Sequence, residues 1–252
     1  MHSRPLFTIL CCLLLLCSAC RKPQQKLRIA TAANMQYAME ELVEAYSSES
    51  GIACEIIIGS SGKLTAQIRE GAPYDILVSA DMRYPRELEK LDLLSGPPRV
   101  YAYGTLVIWT NRPGIEPSLK ALTDPGIHHI AIANPLTAPY GRAAIEALEE
   151  AGIYDQLAHK LVYGESVAQA SQFIRSGASE VGITAKAVVL SAQVAGIGKW
   201  VDLDSKKYTP IEQGVACLRN SAQPKAAMAF SEFLFSPEAR QILKKFGYSV
   251  YE

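Results

Sequence analysis

The sequence predicts an α/β protein built around parallel strands, on three observations. Short β-branched runs alternate with helical patterns from residue 27 onward, the apolar period switching between about 2 and about 3.6 residues. A turn signal, Asn111-Arg112-Pro113-Gly114, divides a first α/β series from a second. No internal repeat or low-complexity linker interrupts either, and a composition of 49% hydrophobic and 20% charged residues is that of an ordinary globular chain.

The first series reads as strand 27–31, helix 36–48, strand 53–58 with three consecutive Ile, helix 64–70, strand 76–78 and helix 85–91. A longer strand-like run, 101–110, leads into the turn. The second series reads as helix 118–122, strand 129–133, helix 141–151, helix 167–176, strand 181–183, helix 186–194 and strand 199–202. A strand at 211–218 and two helices each opened by a proline, 224–235 and 237–246, close the chain.

Ahead of these elements, Arg4 precedes a nearly unbroken apolar run from Leu6 to Cys17, which ends at Ser18-Ala19-Cys20 before the polar Arg21-Lys22-Pro23-Gln24-Gln25. This is the pattern of a secretory signal, and the run is shorter than the roughly 20 residues a membrane span needs. A Cys directly after small residues has the form of a bacterial lipoprotein site, with residues 1–19 removed, Cys20 lipidated and 20–25 a tether. An ordinary cleaved signal is the other reading, because Cys17 stands where an apolar residue is usual.

Subtracting the leader removes one Arg and no acid, so the formal charge moves from 0 to −1, without the basic excess of a nucleic-acid binder. Of six Cys, Cys20, Cys54 and Cys217 remain; the last two sit in apolar strand-like runs and read as separate buried thiols.

Residues 60–81, SSGKLTAQIREGAPYDILVSAD, join a Ser-rich turn, an amphipathic helix, a Pro break and a buried strand. A helix start carries unpaired N–H groups and partial positive charge, so hydroxyls placed there suit an oxyanion. Gly62-Lys63 does not make a phosphate loop, since Ile57 and Leu64 stand where that pattern needs Gly and Ser or Thr. Asp81 reads as a helix cap and Asp75 as structural.

That segment, with Ala32-Ala33-Asn34 and Ala38-Met39, Ala133-Asn134-Pro135 through Ala138-Pro139-Tyr140-Gly141, Gly182-Ile183 and Phe246-Gly247-Tyr248, in this order and spacing, resembles the periplasmic molybdate-binding proteins that feed ABC importers. The resemblance covers nearly all of the chain after the leader. It implies a two-lobed periplasmic-binding-protein fold, each lobe a mixed sheet flanked by helices, joined by two crossing hinge strands. One lobe would comprise 26–104 plus 217–252 and the other 105–216. It also implies a monomeric receptor with no cofactor and no enzymatic activity, whose ligand is molybdate or tungstate and whose partners are an ABC permease and its ATPase. Its site would lie outside the cytoplasm, held to the membrane through Cys20.

By the same resemblance the oxyanion contacts are Asn34, Ser61, Ala80, Tyr140 and Val167. Asn34 offers a side-chain amide and a backbone N–H, or serves as a helix cap. Ser60 and Ser61 divide the roles of cap and donor, the resemblance giving the contact to Ser61. Ala80 and Val167 offer only main-chain N–H groups. Tyr140 offers its N–H and its phenol, the other reading being a packed aromatic. Some members of the family use a Tyr hydroxyl where this chain has Ala185, which leaves the donor set and selectivity open. Metal would be held only as its oxyanion.

The rival readings are a receptor for another tetrahedral oxyanion such as sulfate, and a secreted hydrolase. Against the hydrolase, G-x-S-x-G and H-E-x-x-H are both missing and the mature chain has only His128, His129 and His159.

Overall fold

Residues 25–250 are described by a computed structural model; the leader and Cys20 lie outside them. The chain runs β1 (Leu27–Ala32), a 3-10 turn (Ala33–Met35), α1 (Gln36–Ser50), β2 (Cys54–Gly59), α2 (Ser61–Arg69), β3 (Ile76–Ser79), α3 (Arg83–Lys90) and β4 (Arg99–Gly104). It continues through β5 (Leu106–Thr110), α4 (Leu119–Leu122), β6 (Ile130–Ala133), α5 (Pro139–Glu150), α6 (Tyr154–Leu157), β7 (Leu161–Gly164), α7 (Val167–Ser176), β8 (Val181–Ala185), α8 (Lys186–Val189) and β9 (Lys199–Asp202). It ends with β10 (Ile211–Cys217), α9 (Pro224–Phe233) and α10 (Pro237–Lys245).

The strands form two five-stranded mixed sheets, one per lobe, in the orders β2-β1-β3-β10-β4 and β7-β6-β8-β5-β9. Within them β1 is parallel to β2 and β3, and β6 to β7 and β8, whereas β10 and β5 run antiparallel to their neighbours. Side-chain alternation explains how the first sheet is covered on both faces. Leu27, Ile29, Ile76, Val78 and Val215 join one buried cluster with Met39 and Leu42 of α1, Phe230 of α9 and Leu243 of α10. The intervening Ala30, Leu77 and Ala216 join another with Leu64 and Ile68 of α2 and Leu88 of α3. The C-terminal helices thus return to the first lobe.

The lobes meet at two crossings. The run expected as one strand over 101–110 is two, β4 and β5, which belong to different sheets and are separated only by Thr105. The second crossing precedes β10. Its first residue, Ile211, pairs with Gly104 at the end of β4, so both crossings leave the first lobe at one register position. This corrects the expected boundary at 216: β10 is hydrogen-bonded between β3 and β4 and is part of the first lobe's sheet.

Other differences are local. The helix expected over 186–194 stops at Val189, where Ser191 Oγ donates to the Val188 carbonyl at 2.7 Å and the chain turns. The strand β7 and the short α6, each four residues long, went unforeseen. Cys54 and Cys217 are free thiols. Between β2 and β10 lie β1 and β3, three interstrand spacings or about 14 Å, against a disulfide limit near 7 Å between Cα atoms. Burial pushes both thiols above their ordinary pKa.

Asp75 is a brace, as the sequence suggested. Its Oδ2 accepts the Arg28 N–H at 2.7 Å, and its Oδ1 accepts the Ser221 hydroxyl at 2.6 Å and the Gln223 N–H at 3.2 Å. The start of β1, the entry to β3 and the exit from β10 are thereby tied together. Asp75→Ala strands these donors in a buried site and is expected to cost roughly 2–4 kcal/mol. Urea unfolding reads that loss, and an unchanged midpoint would remove the brace role.

Candidate functional site

The five residues assigned by resemblance all lie at strand ends or helix starts beyond the carboxyl ends of parallel strands, where open α/β sheets place ligands. Asn34 sits in the 3-10 turn after β1, Ser61 is the first residue of α2, and Ala80 follows β3. From the other lobe, Tyr140 lies in the first turn of α5 and Val167 opens α7. None of the five is more than 4% exposed. Ala33 and Ala80 of the first lobe share one buried cluster with Ala138, Tyr140 and Val167 of the second, and the 3-10 turn packs against α7 and α8. The fold therefore brings these starts together in a closed cleft.

Their hydrogen bonds sort the donors. Gln213, in β10, donates from Nε2 to the carbonyls of Ala80 at 3.1 Å and Ile211 at 3.0 Å, which turns its Oε1 toward Asn34. Asn34 Nδ2 accordingly donates to Gln213 Oε1 at 2.7 Å and to Tyr248 Oη at 3.0 Å, and the Tyr248 hydroxyl donates back to the Asn34 carbonyl. The Asn34 amide group, expected as an anion donor, is thus engaged in holding the turn. What remains at this residue is its backbone N–H at a helix start, where no intrahelical acceptor exists.

Ser60 occupies the N-cap of α2 yet makes no side-chain cap, and its buried Oγ has no partner. Ser61 Oγ accepts the Ala80 N–H at 3.0 Å. A hydroxyl that accepts still has its own proton to give, so Ser61 is placed to donate while Ala80 orients it. At α7, Ser166 Oγ caps the Gln169 N–H and the N–H of Val167 stands at the open helix end. Tyr140 has Pro139 before it at the helix start, and its phenol lies against Tyr248 and Asn34 without a hydrogen bond of good geometry to either. Burial, followed by the neighbouring Tyr248 and Tyr208, holds that phenol well above its ordinary pKa, so it is a neutral donor. Ala185, at the end of β8, contributes no polar side-chain atom.

Around these groups the lobes are latched by contacts that sequence reasoning missed. The Gly62 N–H of α2 donates to the Thr137 carbonyl at 2.9 Å, and the Tyr84 hydroxyl to the Leu136 carbonyl at 3.3 Å. Arg142 of α5 pairs with Asp81 and donates to Tyr84 Oη at 3.3 Å. Lys63, which the sequence excluded from a phosphate loop, pairs with Glu165 across the cleft. Asp81 also accepts the Tyr84 N–H at 3.4 Å in the capping role expected of it. Burial raises its pKa in spite of Arg142 and that N–H. Gln213 carried no sequence signal, being one polar residue in a strand; Tyr248 lay within a quoted motif whose chemistry was not read.

Among the described residues no group of three or more His, Cys, Asp or Glu could hold a metal ion. The N–H groups of His128 and His129 donate to Glu180 Oε2 at 3.3 and 2.7 Å, which makes this pair part of a structural turn.

Residues 27–249 match the model of the bacterial extracellular solute-binding protein family. The molybdate-binding protein ModA of Rhodobacter capsulatus is 35% identical over 220 residues, covering 87% of this chain and 86% of that one. ModA of Azotobacter vinelandii is 32% identical over 235 residues, covering 92% and 93%. The solved structure of the Azotobacter vinelandii periplasmic molybdate-binding protein superposes with a TM-score of 0.86 at 34% identity, covering 90% of this chain and all of that one. The chain belongs to the family of bacterial extracellular solute-binding proteins, alongside its periplasmic molybdate-binding members.

Proposed function

We propose that this chain captures molybdate, and tungstate with it, between its two lobes outside the cytoplasm and delivers the closed form to an ABC permease and its ATPase. The observation that supports this best is the convergence of uncharged donors. The N–H groups of Asn34, Tyr140 and Val167 and the hydroxyl of Ser61 come from both lobes, are buried, and lie at helix starts. The nearby carboxylate, Asp81, is paired with Arg142. A fully deprotonated tetrahedral dianion needs donors only, whereas a protonated phosphate also presents a proton that calls for an acceptor. Such a cleft performs binding and no bond-breaking, and the names of the relatives support the same cargo.

Closure supplies the chemistry of capture. Water must be replaced by donors from both lobes, so the anion binds the closed arrangement better than the open one and shifts the population toward it. The protein acts as a monomer tethered by lipid on Cys20, a residue outside the described ones. Among the described residues no helix is long and apolar enough to cross a membrane.

Isothermal titration of the leader-free protein with molybdate, tungstate, sulfate and phosphate tests the cargo. One-to-one binding of molybdate and tungstate, with sulfate and phosphate silent, is expected; a response to sulfate or phosphate alone would move the protein to another oxyanion. Ser61→Ala removes a donor and leaves the Ala80 N–H unpaired, so molybdate affinity should fall by about 1–3 kcal/mol. Undiminished binding by a variant that melts like the native protein would remove Ser61 from the site. Cys20→Ser should release the full-length protein from membranes on fractionation, and retention in the membrane pellet would refute the anchor.

A further inference from the structure

Gly104 carries no chemistry and no contact in the anion site, yet it stands where the two crossings pair. A Cβ built on it would overlap Tyr140 Oη and come within 2.9 Å of Tyr140 Cζ and 3.1 Å of Gln213 Nε2. Contacts under about 3 Å to a fully buried ring cannot be relieved by a swing of the side chain. Tyr140 belongs to the second lobe, and Gln213 to the first-lobe network that holds Asn34 and Ala80. A phenol from one lobe is therefore received at the hinge by bare backbone of the other.

We infer that Gly104 is a positioning residue for capture: it forms a notch in the hinge that seats the Tyr140 phenol, and this seat sets the register of the α5 start against the donors of the first lobe. The inference rests on the oxyanion reading of the cleft. The ring links two places at once, because the residue whose phenol enters the notch is the residue whose N–H opens toward the anion. A side chain at position 104 displaces the phenol, and with it the first turn of α5. The polar neighbours of the Tyr140 hydroxyl are Tyr248 and Asn34, and none lies at position 104, so shape rather than a polar bond to position 104 seats the phenol in the notch. Other closely approached glycines do different work. Gly141 admits the Ala133 carbonyl under α5, and Gly62 lies beneath Tyr84 at the rim; neither touches the crossings.

The test is a double-variant cycle of G104A, Y140F and G104A/Y140F, read by molybdate titration and by urea unfolding without ligand. G104A is expected to bind molybdate at least about tenfold more weakly, since overpacking at the seat opposes closure. Removing the phenol oxygen removes the worst overlap and leaves the 2.9 Å approach to Cζ and the 3.1 Å approach to Gln213 Nε2, both of which shifts of a few tenths of an ångström relieve. G104A/Y140F should therefore recover most of the lost affinity, and the two changes should be strongly non-additive in both readouts. Native-like binding by G104A, or strictly additive effects, would overturn the inference. Should G104A alone not fold, the double variant still decides. It folds and binds if the phenol is the obstacle, and does neither if Gln213 or the backbone is. The unfolding arm needs no anion, so failure of the native protein to bind molybdate would strike the functional reading while leaving the seat to be judged by its coupling.

Discussion

The cleft depends on one buried carboxamide. Gln213 lies in β10 where the register against β4 slips between Gln213 and Gly214, an irregularity of the kind that re-aims a side chain. It is fully buried, and it binds the Ala80 carbonyl, the Ile211 carbonyl and Asn34 at once. The ends of β1 and β3, which carry the Asn34 turn and the Ala80 N–H that orients Ser61, are thereby fixed to the strand that the second crossing enters. A buried amide left without partners costs about 1–3 kcal/mol per unsatisfied group, so the network holds as a unit or not at all. Tyr248 extends it to the C-terminal end through its two bonds with Asn34. The turns proposed to face the anion are in this way set by groups outside the proposed donor set.

That arrangement answers an electrostatic problem. A small dianion held against full positive charges in a dry interior would be attracted strongly and with little regard to its identity. Here Lys63 is matched by Glu165 and Arg142 by Asp81. The interior instead offers hydroxyls, backbone N–H groups and helix starts, each equivalent to a fraction of a charge, about one half at most. Such donors are directional and fixed, so discrimination falls on the size and geometry of the oxyanion. The chain's near-neutral formal charge agrees with a site that works by local dipoles.

The sequence was most informative where a period or a motif ran long enough. The βαβ alternation foretold the parallel strands, and the turn at 111–114 marked entry to the second series. It misled where a residue's partner lay far away in the chain. The 101–110 run is continuously apolar, and nothing local shows that Gly104 and Leu106 belong to different sheets, because that division is made by pairing with Ile211 and Ala185. The boundary placed at 216 fails for the same reason: β10 reads as a strand but does not name its neighbours. At the candidate site, the Ser-rich turn and the helix starts were legible as elements, at the positions where the structure places them. The fate of the Asn34 amide was not, since it is decided by Gln213 and Tyr248, 179 and 214 positions away.

The latch between the lobes is built to be weak. Lys63 and Glu165 are both more than half exposed, and pairs of that kind contribute about 0–1 kcal/mol. Arg142 and Asp81 are more buried, but burial raises the Asp81 pKa even with the guanidinium beside it. Desolvation therefore offsets part of the attraction in the ionised pair. The two neutral bonds, Gly62 to Thr137 and Tyr84 to Leu136, exchange protein for water partners and add little more. If these contacts alone closed the lobes firmly, an empty receptor would be indistinguishable from a loaded one. Because they sit near balance, an anion touching donors in both lobes supplies the decisive difference in affinity between open and closed forms, and moving such an equilibrium from mostly open to mostly closed takes only about 5 kcal/mol. Closure then reports occupancy, which is the property a delivering receptor needs.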